Sequence, residues 1–171
     1  MKALLIILIS LTFTANANSQ NFFSSKIAAG VHFNSEAGST KYSPGLYISG
    51  YVEPRISNTG NLVFNIDCGI FRKKDVSLSR NDGKYAVLVG YKNKFFVGRS
   101  NYYIAGLTGA MYGGFGFKAA IGYEKRILRT SLISVDAFYC KSVTSLTDSG
   151  SNDKITSLIG ITLGAALIHE K

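Results

Sequence analysis

The chain has 171 residues, with 19 Lys and Arg against 10 Asp and Glu, 18 Gly, 10 Tyr, 11 Phe, 2 Pro and no Trp. That length suits one domain rather than two, and so much Gly, Tyr and Phe suits twisted strands and tight turns more than helices. Beyond the first residues no apolar run reaches the ~18 residues of a spanning helix, so a membrane-spanning reading requires a closed barrel, the other architecture that pairs every backbone group in lipid.

Residues 1–17 read as a secretory signal peptide: Lys2 is the positive region, Ala3 to Phe13 the apolar core, and Ala15-Asn16-Ala17 a small-residue cleavage pattern. The alternative is an uncleaved anchor helix. No Cys follows the apolar core, which argues against a lipoprotein, and the mature chain is expected to begin near Asn18. Residues 18–25 are polar with two Phe and are expected to be a disordered lead-in; 26–171 form the β-barrel domain.

From there the chain alternates with period two, the signature of strands with one apolar and one polar or small face. The first strand is expected at about Lys26 to Asn34, with Ile27, Ala29, Val31 and Phe33 apolar and Lys26, Ala28, Gly30 and His32 opposite. The second, about Gly45 to Arg55, sets Leu46, Ile48, Gly50 and Val52 against Tyr47, Ser49, Tyr51 and Glu53, with Pro54 at its end, where a missing donor is tolerated. The third, about Leu62 to Arg72, sets Leu62, Phe64, Ile66, Cys68 and Ile70 against Asn65, Asp67 and Gly69. The fourth, about Lys84 to Lys92, carries Tyr85, Val87, Val89 and Tyr91, and a basic link from Asn93 to Ser100 follows. The fifth, about Asn101 to Tyr112, is mixed on both faces and its orientation is not readable; Phe95 to Val97 could extend it backwards.

The clearest unit is Gly114 to Lys141, two long strands joined by a tight basic turn. Phe117, Ala119, Ile121 and Tyr123 oppose Lys118, Ala120, Gly122 and Glu124; then Ile133, Val135, Ala137 and Tyr139 oppose Ser134, Asp136 and Cys140. The last strand, about Lys154 to Ile168, sets Ile155, Ile159, Ile161, Leu163, Ala165 and Leu167 against Thr156, Gly160, Thr162 and Gly164. Strands of about ten residues with an aromatic near the end of each apolar row suit a tilted bilayer crossing. The whole reads as an all-β, antiparallel up-and-down transmembrane β-barrel of about eight strands, with links after strands two, four and six short and those after one, three and seven longer. The link after strand five is also short.

In so narrow a barrel the interior is only wide enough for side chains. The alternation directs His32, Glu53, Arg55, Asp67, Lys92, Lys118, Glu124 and Asp136 inward, where both signs of charge would pair. The functional alternative is an ion path or a small polar pocket. Cys68 falls on the apolar face and Cys140 on the inner one, and side chains on opposite sides of a wall do not bridge, so two unpaired thiols are favoured over a disulfide.

The run GLYISGYVEPRISNTGNLVFNIDCGIFRKK, with KYAVLVGYKNKFF, NYYIAGLTGAMYG, FKAAIGYEKRI and SLISVDAFYC, resembles the small outer-membrane β-barrel domain family common in Bacteroidetes, related in architecture to the OmpA/OmpX barrels. The resemblance implies an eight-stranded barrel in the cell outer membrane, usually of unassigned function, in contact with outer-membrane lipid and the outer-membrane insertion machinery. Such barrels often close on Gly-x-x-aromatic-x-Phe; Gly164, Leu167 and His169 hold those positions here, so both aromatics are missing.

The expected function is non-enzymatic, structural or through surface loops at 34–43, 72–84 and 141–154 that contact an unidentified partner. The barrel is expected to be a monomer, with no cofactor, no metal site and no nucleic-acid partner. One alternative is a soluble periplasmic, lipocalin-like barrel with its apolar rows inside around an apolar ligand. A remote one is a lipid-modifying enzyme using His32 at the outer rim with Asp75 and Ser77.

Overall fold

The alternating segments form eight strands in the computed structural model, which describes residues 23–34, 42–73, 81–97, 100–112, 114–145 and 157–169. These are β1 (Phe23–Asn34), β2 (Tyr42–Pro54), β3 (Gly60–Lys73), β4 (Asn81–Val97), β5 (Ser100–Met111), β6 (Gly114–Leu128), β7 (Ser131–Ser145) and β8 (Ser157–His169). Each pairs antiparallel with its sequence neighbour, and β8 pairs with β1 from Phe23↔His169 to Asn34↔Leu158, closing the barrel. Closure leaves no edge strand to pair with another chain. The start of β1, the end of β8, the end of β4, the start of β5 and residues 55–59 and 129–130 share one end, called the turn end; the opposite ends of the strands form the loop end.

The strands run further than the apolar alternation marks, because backbone pairing continues past the apolar band. β1 begins at Phe23, inside the stretch expected as a lead-in. β4 continues to Val97 and pairs Phe95↔Tyr102, so residues 95–97 extend β4 forward rather than β5 backward. Tyr42, Ser43, Lys73, the stretch 81–83 and the stretch 142–145, which the sequence marks as loop, belong to strands. The rest of those loops and residues 1–22 lie outside the described residues. Pro44, without an N–H, sits where the β2–β3 register shifts between Ser43 and Leu46.

The apolar rows face outward. Ile27, Val31, Ile48, Ile66, Val87, Ile104, Ile121, Ile133, Ile161 and Leu163 are all exposed, an arrangement that water would penalise and lipid favours. Aromatics bracket this aliphatic band, with Phe33, Tyr85, Phe115 and Phe117 toward the loop end and Phe23, Tyr91, Phe95 and Tyr102 toward the turn end. A soluble ligand-binding barrel requires the opposite facing. β5 resisted assignment because its inward row, Tyr103, Ala105, Leu107 and Met111, is itself apolar.

Two inward glycines make room for rings. A Cβ on Gly122 would stand 2.4 Å from the Tyr103 ring, and one on Gly160 would stand 2.3 Å from the Phe138 ring. Gly122→Val is therefore expected to displace Tyr103 and lower the unfolding free energy by about 1–3 kcal/mol, measured by urea titration of the folded barrel.

At the seam, the His169 ring stacks on Phe23 at 4.3 Å between centroids and 12° between planes, and its Nε2 lies 3.1 Å from Ser25 Oγ. His169 thus supplies a flat ring where the closing aromatic would stand. His169→Ala should cost about 0.5–1.5 kcal/mol by the same titration, and His169→Phe should keep the stack and lose little.

Candidate functional site in the barrel interior

Side chains from every strand fill the lumen. Lys92, Lys118, His32, Glu124, Tyr47, Phe71, Leu88, Met111 and Leu158 are all less than 2 % exposed. A carboxylate or ammonium in so dry a place is tolerated only when paired and hydrogen-bonded. The pairing falls into three groups.

Nearest the turn end, Lys92 Nζ (β4) lies between two carboxylates, donating to Glu53 Oε1 and Oε2 (β2) at 3.0 and 2.8 Å and to Glu124 Oε1 (β6). Glu124 Oε2 accepts no hydrogen bond among the described residues but stands 3.2 Å from Lys94 Nζ, so Lys94 neutralises it through space. Ser24 Oγ donates to Glu53 at 3.4 Å. In this group two lysines balance two glutamates.

Deeper, Lys26 Nζ (β1) pairs with Asp136 Oδ2 (β7) at 2.7 Å. The Tyr103 hydroxyl (β5) donates to the other Asp136 oxygen, and Thr162 and Ser134 donate to Oδ2 at 3.4 and 3.5 Å. The same ammonium sits 4.4 Å above the Tyr51 ring, a cation–π contact strengthened by desolvation.

Near mid-barrel, Lys118 Nζ (β6) reaches across the lumen to Asp67 (β3) at 3.0 and 3.1 Å. Ser49 Oγ and Asn65 Nδ2 donate to Asp67 Oδ1, the latter at 2.9 Å. The hydroxyls of Tyr51 and Tyr47 lie 3.0 and 3.2 Å from the ammonium, Asn65 Oδ1 3.3 Å and Ser49 Oγ 3.4 Å. Three N–H bonds are shared among these acceptors, which holds Lys118 in place from several sides.

Toward the loop end the lumen turns apolar. His32 packs against Phe71 at 4.4 Å, Tyr47 stacks on Phe138 at 4.3 Å, and Met111, Leu158 and Cys140 are buried among them. His32 Nε2 donates to Ile70 O at 3.2 Å, leaving Nδ1 buried without a partner among the described residues. Its ring is therefore a neutral part of the cap rather than an exposed rim base. Asp75 and Ser77, its imagined partners in a hydrolytic site, lie outside the described residues. His169 is at the far end of the β1–β8 seam from His32.

Of the residues read as inward, Glu53, Asp67, Lys92, Lys118, Glu124 and Asp136 join these groups and His32 joins the apolar cap. Arg55 does not. β2 ends at Pro54, and Arg55 is exposed in the following turn, donating to Ser57 O at 2.9 Å and to Asn58 Oδ1 at 3.1 Å. Lys26 and Lys94 also join the interior groups. Lys26 lay on the inward row of β1, and Lys94 falls two residues past Lys92 once β4 is extended. Cys140 is buried inside and Cys68 half-buried outside, both as free thiols. No group of three or more His, Cys, Asp or Glu among the described residues is arranged to hold a metal ion.

No family model and no curated protein matches the sequence. Solved structures do match in shape. Neisserial surface protein A aligns over 87% of this chain and 97% of its own at TM-score 0.63 and 10% identity. OprG from Pseudomonas aeruginosa aligns over 90% and 97% at 0.53 and 8%. Ail, the attachment invasion locus protein of Yersinia pestis, aligns over 87% and 97% at 0.51 and 12%. The fold is that of the small outer-membrane β-barrels. At such identities the likeness carries the wall and its closure, and the interior pairing stands on this chain's own residues.

Lys92→Met would leave Glu53 and Glu124 facing a buried space without their shared cation. The expected loss is about 3–5 kcal/mol, read as a lower urea midpoint. Adding Glu53→Gln, which removes one of the two carboxylates, should return part of it, since neighbours in one network are not additive.

Proposed function

We propose that the chain is a non-enzymatic outer-membrane barrel, of the OmpA/OmpX kind met in Bacteroidetes, whose interior is a fixed plug and whose loops carry its contacts. The observation that carries this reading is the lumen itself. Ion pairs cross it at three levels below an apolar cap, and the outer wall presents an aliphatic band edged by aromatics. A permanent aqueous path would require breaking several buried pairs at once. A hydrolytic site built on His32 would require it as an accessible base, and it is buried, donates to a backbone carbonyl and packs against Phe71.

On this reading the signal peptide delivers the chain to the periplasm, the insertion machinery places it in the outer membrane as a monomer, and the turn end faces the periplasm. The links at 35–41, 74–80 and 146–156 then face outward as the surface available to a partner. That Ail is named for attachment and invasion fits a small barrel working through surface contact.

The test has two parts. Protein from the outer-membrane fraction should run faster on a detergent gel unboiled than boiled, as a closed barrel resists detergent. The same protein in a planar bilayer should give no stepwise conductance. Recovery from the soluble periplasmic fraction without a mobility shift would overturn the membrane reading, and regular conductance steps would overturn the plug.

A further inference from the structure

The turn end of the outer wall differs from the rest of the belt. Adjacent outward positions on four strands, Phe95↔Tyr102↔Tyr123↔Val135, form one row across β4 to β7. With Ile104 and Ile121 behind it, this row lines a groove of about 450 Å³ open to the side of the barrel. The Tyr102 and Tyr123 rings lie 5.1 Å apart, and the Tyr123 hydroxyl is within 2.7 Å of Ser100 Oγ, so the polar edge of the groove points to the turn end.

The next outward position along β6 is Lys125, exposed and opposite Ser100 and Ile133 in the ladder. The surrounding sequence is one-signed. Residues 55–59, 93–101 and 125–131 contain Arg55, Lys94, Arg99, Lys125, Arg126 and Arg129 and no Asp or Glu. The carboxylate next to Lys125 along β6, Glu124, points inward and is held by Lys92 and Lys94. The loop-end links mix signs, with Glu36, Asp75, Asp148 and Asp153 among their bases.

We propose that this groove is a binding site for one anionic glycerophospholipid, its acyl chain against Phe95, Tyr102, Ile104 and Ile121 and its headgroup phosphate beside Lys125. An apolar trough ending in hydroxyls and an uncompensated cation matches the order of chain, ester and phosphate in such a lipid. A free phosphate would use the cation but not the trough. The inference rests on the membrane reading and adds a location and a headgroup class to it.

The chain has no Trp, so a single introduced one is a unique reporter. Tyr102→Trp places it in the groove, and Tyr85→Trp, 67% exposed toward the loop end of β4, serves as the control. Each is folded into phosphatidylcholine vesicles containing equal minor fractions of brominated phosphatidylglycerol or brominated phosphatidylcholine, identical in both leaflets so that orientation does not matter. Quenching at position 102 should show about a five-fold preference for phosphatidylglycerol, the worth of one Lys or Arg at an anionic surface. Position 85 should show little. Lys125→Gln should abolish the preference and Lys125→Arg retain it, both with the heat-dependent gel shift intact. Equal preference at 102 and 85, or one unaffected by Lys125→Gln, overturns the site while leaving the membrane reading standing. Loss of the preference on adding inorganic phosphate at constant ionic strength overturns it in favour of a free-anion site. Absence of quenching by either brominated lipid at both positions overturns the membrane reading itself.

Discussion

Closing eight strands into one wall leaves an interior just wide enough for side chains, and the rest of this structure answers that constraint. Backbone pairing is complete around the circle, so the wall needs nothing from the interior to satisfy its amides. The side chains pointing inward have no such freedom. They are almost wholly buried, and each charge brought in must meet its counter-charge there. Lys92 with Glu53 and Glu124, Lys26 with Asp136, and Lys118 with Asp67 are that answer. Lys94 is the fourth cation that brings the described interior to four of each sign.

The pairs do not follow the wall. Neighbouring strands are already held by the ladder, and an ion pair between them would add little to shape. Here β4 is tied to β2 and β6, β1 to β7, and β6 to β3. These are chords across the barrel, and they resist its flattening into an ellipse. Replacing such a pair with apolar residues can be neutral or stabilising in general, so the case for these charges is shape and register rather than net stability. The tyrosines fit the same view. Tyr103 takes part in the Asp136 group through its hydroxyl and faces Lys92 with its ring at 4.1 Å, linking two levels of the plug.

Much of this is legible in the sequence, because period two is unforgiving. A residue placed on one side of a strand fixes the side of every other, so the inward positions of Asp67, Lys118, Glu124 and Asp136 followed from the outward aliphatics beside them. What failed did so for identifiable reasons. Arg55 falls on the inward row only if the alternation continues one step past Pro54, and that proline ends the strand. Lys94 was lost because the basic stretch after Lys92 reads as a link when charge is taken as the mark of a loop. β5 was opaque because Leu107 and Met111, facing the apolar cap, look like Ile104, facing lipid. Partner choice was not legible at all. Nothing in the spacing of Lys118 says that it reaches Asp67 across the barrel, since chords depend on shear and tilt, which alternation does not encode.

The two ends of the lumen are filled differently, and that difference follows from what each must exclude. At the turn end charge meets solvent through Lys94, whose side chain keeps 12% of its exposure, so a hydrated mouth grades into the first ion-pair group. At the loop end Phe71, Phe138, Met111, Leu158 and Tyr47 make an apolar lid over Lys118 and Asp67. An apolar lid keeps the dielectric low where the chord between β6 and β3 is longest, which strengthens the attraction it protects. His32 fits that lid only as a neutral ring, its one satisfied nitrogen donating to Ile70 O and the other facing apolar neighbours. Among the described residues no carboxylate pairs with His32 beside the aromatic rings of Phe71 and Tyr47, so the same packing that seals the plug holds His32 as a buried ring of the lid rather than at an exposed rim.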